Sequence, residues 1–236
     1  HVVCRRQRQM CIRDRLYSYH KAVQKIHHFC VNELGGIYLD IVKDRLYTCK
    51  SDSVARKSCQ TSLDYLLNIL VRLIAPILSY TAEEIWQSSE RLNNQEESIF
   101  LSNYDLSEIN EESIITKSDW NRIFEIKNDV NQSIEEMRNE NQLKGSLDAN
   151  VYIEANKNDI KILEKLGAEL HFLFICSKTN IIENNNFKIT VKSSSNQKCT
   201  RCWHRDESVG TSKKHPDLCN RCIENVDDEG EKRSFV

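Results

Sequence analysis

Apolar residues in the first half of the chain recur at steps of three and four, the period of a helix that buries one face. From Leu16 to about Cys49 the series Val23, Ile26, Cys30, Leu34, Ile37, Leu39, Ile41, Val42 and Leu46 predicts a helix, a bend or close packing point at Gly35-Gly36, and a second helical stretch. Ser51-Asp52-Ser53 is an N-cap cluster ahead of a long helix whose apolar side carries Cys59, Leu63, Leu66, Leu67, Leu70, Leu73 and Ile74, until Pro76 kinks or ends it. Thr81 to Glu84 has the form of a capping box leading into Ile85 and Trp86. Amphipathic helices on short connections make a helical bundle.

The pattern then changes. Asn93 to Ser118, rich in Asn, Glu and Ser, reads as a surface connection, followed by a helix from about Asp119 to Leu143 carrying Trp120, Ile123, Ile126, Val130, Ile134 and Met137. Leu147, Ala149, Val151 and Ile153 alternate as a strand; Ile160, Leu163, Leu166 and Leu170 return to helical spacing; His171 to Cys176 is a short apolar run; Phe187, Ile189 and Val191 alternate again. The expected unit is strand, helix, strand, strand, with Ser193 to Gln197 as a polar linker. The fold class is therefore mainly α: a helical bundle over 16–117, a connecting helix and small α/β unit over 118–195, and a small terminal module over 196–236.

Composition narrows the partners. The formal net charge is −2, so the molecule is not basic overall, and any polyanion must be met by local patches. No apolar run approaches the roughly twenty residues of a membrane span, and no signal peptide opens the chain, so no membrane partner is expected. Of the ten cysteines, Cys4, Cys11, Cys30, Cys49, Cys59 and Cys176 are scattered without framework spacing, which fits a reducing, cytoplasmic compartment. Residues 1–15, with five arginines and one acid and no helical or strand period, read either as a basic arm or as foreign sequence joined to the gene.

The strongest chemical signal is Cys199-Thr-Arg-Cys202, sixteen residues, then Cys219-Asn-Arg-Cys222. Each Cys-x2-Cys turn puts two sulfurs on one side of an ion, and a second turn on a hairpin-length loop closes a tetrahedron. Cys199, Cys202, Cys219 and Cys222 are thus the expected ligands of one structural Zn2+, with no open position for a substrate. His204 and His215 lie between the pairs and are read as surface histidines. Over residues 198–221, Lys198, Arg201, Arg205, Lys213, Lys214 and Arg221 outnumber Asp206, Glu207 and Asp217, so the knuckles are locally basic while the segment after Cys222 is acidic, and one side could meet phosphate.

Two segments carry a resemblance. LGGIYLDIVKDRLY followed by DSVARKSCQTSLDYLLNILVRLIAPILSYTAEEIW resembles the anticodon-binding helical domain of bacterial-type isoleucyl-tRNA synthetases, and KCTRCWHRDESVG, HPDLCNRCIENV and GEKR resemble the zinc-binding C-terminal module of the same enzymes. The resemblance runs from about Tyr17 to the end. It implies a C-terminal fragment that recognises the anticodon of tRNA(Ile), catalytically inactive alone and expected to be a monomer. ATP and Mg2+ would belong to the missing N-terminal catalytic domain, which precedes this region together with the editing domain; neither a HIGH nor a KMSKS signature occurs here. By the same resemblance Arg201 and Trp203, flanking the second thiolate, meet the anticodon stem-loop, and Arg56 lies near it. Against this, Trp203 could simply cover the metal site, and Arg201 and Arg56 could be solvated charges. Two rival classes share features: the four-cysteine finger of formamidopyrimidine-type DNA glycosylases, whose nucleophile is an N-terminal proline where this chain has His1-Val2, and a non-enzymatic zinc-tipped RNA-binding scaffold.

Overall fold

A computed structural model describes residues 19–89, 96–103 and 113–235. Residues 1–15 lie outside the described residues, as does part of the expected surface connection. In chain order the helices are α1 (Tyr19–His28), α2 (Leu39–Thr48), α3 (Val54–Ile74), α4 (Ser79–Ser88), α5 (Lys117–Asn139), α6 (Lys157–Glu164), α7 (Leu170–Phe174) and α8 (Asn220–Asp227). The strands are β1 (Ala149–Ala155), β2 (Lys178–Glu183) and β3 (Lys188–Ser193). Cα packing divides the chain into two compact units, His1–Val31 with Ser58–Glu111, and Asn32–Lys57 with Glu112–Val236. The second unit therefore takes in α2 and the first turn of α3, which periodicity alone groups with the helices that follow.

Gly35 and Gly36 do not break the chain. A wide π-helical stretch, Phe29–Tyr38, joins α1 to α2 through them. Glycine is costly in a helix, by about 1 kcal/mol relative to alanine, but does not forbid one.

In the first unit, α3 ends at Ile74, immediately before Ala75-Pro76; Cys59, Ile69 and Val71 are buried along it and Ala75 just beyond its end. The expected leucine stripe is only partly covered: Leu63, Leu66, Leu70 and Leu73 are half-buried and Leu67 is exposed. Val71, Ala75, Ala82, Trp86 and Ile99 form the core of this unit. The capping box expected at Thr81 is not formed. Helix α4 already starts at Ser79 after Leu78, because backbone bonds from Leu78 N to Ile74 O and from Ala82 N to Leu78 O carry the turn straight on from α3. Glu83, beside the acid of that expected box, accepts hydrogen bonds from Ser98 Oγ (2.8 Å) and Ile99 N (3.1 Å), tying the returning chain to α4. Trp86 Nε1 donates to the Glu96 carbonyl at 2.9 Å, and the Arg72 guanidinium lies 4.9 Å from its ring.

In the second unit, β1 is the centre of a three-stranded sheet of order β2-β1-β3, parallel to β2 (Val151 beside Thr179) and antiparallel to β3 (Val151 beside Val191). Ala149, Val151, Ile153 and Ala155 are fully buried on one face. Helix α5 supplies Ile123, Ile126, Val130 and Ile134 to the same core, each worth roughly 1.5–3 kcal/mol of burial. Its start is a true capping box: Thr116 Oγ1 accepts from Asp119 N (3.2 Å), and the Asp119 carboxylate accepts from Thr116 N (2.8 Å).

The run His171 to Cys176, expected as a strand, lies mostly in helix α7 instead, and the second strand follows it as β2. Leu170, Phe172, Leu173, Phe174 and Cys176 are all buried, so the run is apolar because nearly every side is covered, and a short run of that kind carries no period to separate strand from helix. Ile175 then turns the chain in the left-handed region, φ 53°.

Candidate metal centre and adjoining groove

Cys199, Cys202, Cys219 and Cys222 are buried with their ligand atoms all within 4.8 Å of one another. Local bonds build this cluster. Trp203 N donates to Cys199 O (3.0 Å) and Cys199 N to His204 O (2.9 Å), closing the first turn. Thr200 N donates to Asp217 O (3.1 Å), bringing the second pair alongside, and Cys219 N points at Cys199 Sγ (3.4 Å). Cys219 is the N-cap of α8, so Cys222 returns one turn later on the same side.

The donor set fits a soft dication. The sulfurs lie close enough to share protons: hydrogen bonds from the Cys219 and Cys222 thiols favour the Cys202 thiolate, and the bond with Cys202 raises Cys219 and Cys222. A dication at the centre removes that competition and holds all four as thiolates. The four cysteines saturate a tetrahedron, so the ion would be structural.

Around the cluster the second unit is stitched by charge. Arg221, between the last two cysteines, forks onto Asp44 of α2 (Nη1 2.8 Å, Nη2 2.9 Å) and reaches Glu231 at 3.1 Å. Arg233 pairs with the same two carboxylates and lies 3.5 Å from the Phe172 ring. Burial works to raise the Asp44 carboxyl, but the hydrogen bonds and charges of Arg221 and Arg233 win and lower it to about 2. On the opposite flank Arg205 Nε donates to Asp148 at 2.6 Å, fastening the first knuckle to the turn before β1.

Between α2 and the first knuckle lies a groove of about 610 Å3, with Leu147, Phe172 and Ile175 among its apolar lining and Lys43, Tyr47 and Trp203 also lining it. Trp203 is 59% exposed, with Lys198 Nζ 5.7 Å from its ring centre. Its backbone sits at φ 67°, a region that bulky residues seldom adopt, held there by the knuckle.

Arg201, read from sequence as an RNA contact, is turned inward: its guanidinium donates to the Thr48 carbonyl and lies 3.9 Å from Cys222 Sγ. Arg56 is half-buried on the first turn of α3, its backbone N capped by Ser53 Oγ at 3.3 Å, and it does not line the groove. His204, read as a surface residue, is buried. Its Nδ1 lies 3.2 Å from the Cys202 carbonyl and its ring meets Phe172 edge-on at 5.7 Å, because the knuckle turns this side chain towards α7. His215 is half-buried and paired with Asp227 at 3.0 Å. Sequence reasoning passed over Tyr47, Asp44 and the role of Arg221. Asp44, Tyr47 and Thr48 at i, i+3 and i+4 on α2 were the available signal.

The chain belongs to the anticodon-binding family of tRNA ligases: the family described as "Anticodon-binding domain of tRNA ligase" matches residues 14–159, and "Zinc finger found in FPG and IleRS" matches residues 196–225. Among curated proteins it is 42% identical to isoleucine--tRNA ligase of Francisella philomiragia, 41% identical to that of Shewanella halifaxensis and 40% identical to that of Histophilus somni, each over 93% of this chain. The chain spans about a quarter of the length of these relatives, 25% in each case. Among the described residues no helix is long and apolar enough to cross a membrane.

Proposed function

We propose that this chain is the tRNA(Ile)-recognising C-terminal part of an isoleucine--tRNA ligase, reading the anticodon while ATP, Mg2+ and isoleucine are handled by the catalytic region of the longer protein. It acts as a monomer in the cytoplasm, with one structural Zn2+ on Cys199, Cys202, Cys219 and Cys222. The contribution of this part is binding energy and specificity, since bond making occurs elsewhere.

The observation that carries the reading is Trp203, an exposed aromatic ring whose backbone a metal knuckle fixes. Single-stranded bases are bound by such faces, with cations nearby for phosphate. Lys198 supplies a cation beside the ring. Arg201 serves from behind, holding the knuckle on the end of α2, and Arg56 offers a charge on the neighbouring helix. The finger alone would also suit a DNA glycosylase, but the anticodon-binding match over residues 14–159 favours the synthetase.

The test is binding of the zinc-loaded chain to tRNA(Ile) and to a tRNA differing only in its anticodon, at two salt concentrations. Preference that survives the higher salt is expected, and Trp203→Ala should weaken it by about 1–3 kcal/mol. Binding that ignores the anticodon and vanishes with salt would overturn the reading.

A further inference from the structure

The groove beside the metal centre has features that a structural zinc tip does not require. Tyr47, at the C-terminal end of α2, is 75% exposed and lines the same groove as Trp203, so two exposed aromatic rings from sequence-distant elements face one space. Among the described residues the non-glycine positions with positive φ are Asn141, Ile175 and Trp203, and both Ile175 and Trp203 line this groove. Ile175 is β-branched, for which that conformation is strained, and such strain persists where the surrounding fold over-determines a working surface.

Charge identifies the occupant. Two acids, Asp40 and Asp44, line the groove, and both are already neutralised: Asp40 pairs with Lys43 at 2.6 Å, and Asp44 is held by Arg221 and Arg233. Lys198 adds a cation at the Trp203 end. An apolar floor, two aromatic rings, no unpaired carboxylate and cations at the edge suit a flat, apolar-faced group attached to phosphate. The volume, about 610 Å3, falls within the usual range for small-ligand sites of roughly 300–1,000 Å3.

We propose that this groove takes one unstacked nucleobase of the tRNA anticodon loop, with Tyr47 of α2 as a second stacking face beside Trp203. The inference rests on the anticodon reading above and adds a residue and a binding pocket to it. Helix α2 thereby becomes part of the RNA-binding surface, and the ion pairs of Asp44 with Arg221 and Arg233 become the device that sets the width of the pocket.

The experiment uses the full zinc-loaded chain and anticodon stem-loop RNAs of tRNA(Ile) carrying 2-aminopurine at one loop position at a time. Wild-type protein is expected to change the fluorescence strongly at the position that enters the groove. Tyr47→Ala should abolish that change and weaken binding about 5- to 150-fold, the usual range for losing a stacking ring, while Tyr47→Phe stays within about twofold of wild type. Because Tyr47 is 75% exposed, its removal is expected to leave the fold intact, which the exchange of α5 and β1 checks. If Trp203→Ala weakens binding but Tyr47→Ala changes neither affinity nor fluorescence, the pocket proposal is wrong and the anticodon reading stands. A Tyr47→Ala loss of affinity with every fluorescence signal unchanged would place the ring on the backbone outside the groove and also overturn the pocket. Binding indifferent to the anticodon and to both rings would overturn the two readings together.

Discussion

Arg233 lies near the end of the chain in a polar segment, yet its side chain is 1% exposed. Its Nη2 bonds Asp44, its Nε lies 3.1 Å from Glu231, and its plane covers the Phe172 ring at 3.5 Å. Truncation to alanine does not strand the two carboxylates, because Arg221 still reaches both, at 2.8 and 3.1 Å. The full penalty for breaking a buried ion pair, about 3–5 kcal/mol, therefore does not apply. What is lost is a set of charge-assisted hydrogen bonds, about 1.5–3 kcal/mol, and a desolvated cation–π contact of up to about 2 kcal/mol, and incomplete additivity brings the expected total to about 2–4 kcal/mol. Arg233→Lys keeps the charge but not the fork or the flat contact, and should cost about half as much. Amide hydrogen exchange of α2 and α8 in the zinc-loaded chain is the assay, since it reports opening of this unit alone. Exchange should accelerate roughly 30- to 900-fold in Arg233→Ala. Rates within about threefold of wild type would mean that the terminal segment does not lock α2 to the zinc module, and the reasoning from burial and geometry would fail.

Chelation should remove amide protection across residues 198–226 while α5 and β1 keep theirs, because the thiolates have no preformed site without the cation; protection unchanged by chelator would refute a structural ion. The α/β part should lose stability as pH falls below about 4, measured by exchange in α5 and α6. Hydrogen bonds from Arg122 hold the Asp159 carboxyl below its usual value, and those from Lys165 and Thr116 bring Asp119 to about 2. Folded values lower than unfolded ones mean stability that is complete above the unfolded pKa and disappears as pH drops through the folded one, so Asp159→Asn should flatten part of that dependence.

The metal centre was legible in the sequence because its chemistry is local: two thiolates three apart and a second pair on a hairpin-length loop leave few other readings. Helix α5 was legible for a similar reason, since Ile123, Ile126, Val130 and Ile134 hold one period against one sheet. His171 to Cys176 was not, because a segment covered on nearly every side has no polar face to mark its period. The capping box at Thr81 failed because its residues are the right types inside a helix that had already begun at Ser79. His204 was misread because a histidine beside a knuckle looks solvent-facing in sequence, whereas the turn directs it towards Phe172.

The groove was invisible for a different reason. Asp44 and Arg221 are separated by 177 positions, and Tyr47 and Trp203 by nearly as many, so no window of the sequence contains the surface they form. Each half also has a sufficient local explanation: Tyr47 as an exposed residue at a helix end, Trp203 as a cover for a metal site. The pairing of Asp44 with Arg221 and Arg233 and the bond from Arg201 to the Thr48 carbonyl hold α2 against the zinc module and give the two rings a common space. A zinc ion on the four sulfurs would then do more than fold a small tail. Because Arg201 and Arg221 extend from the two cysteine turns onto Thr48 and Asp44, fixing the sulfurs also fixes the end of α2, and the groove exists only while both are held. That dependence gives metal removal a second readout: exchange at α2, which contributes no ligand to the metal, should rise together with exchange in the knuckles.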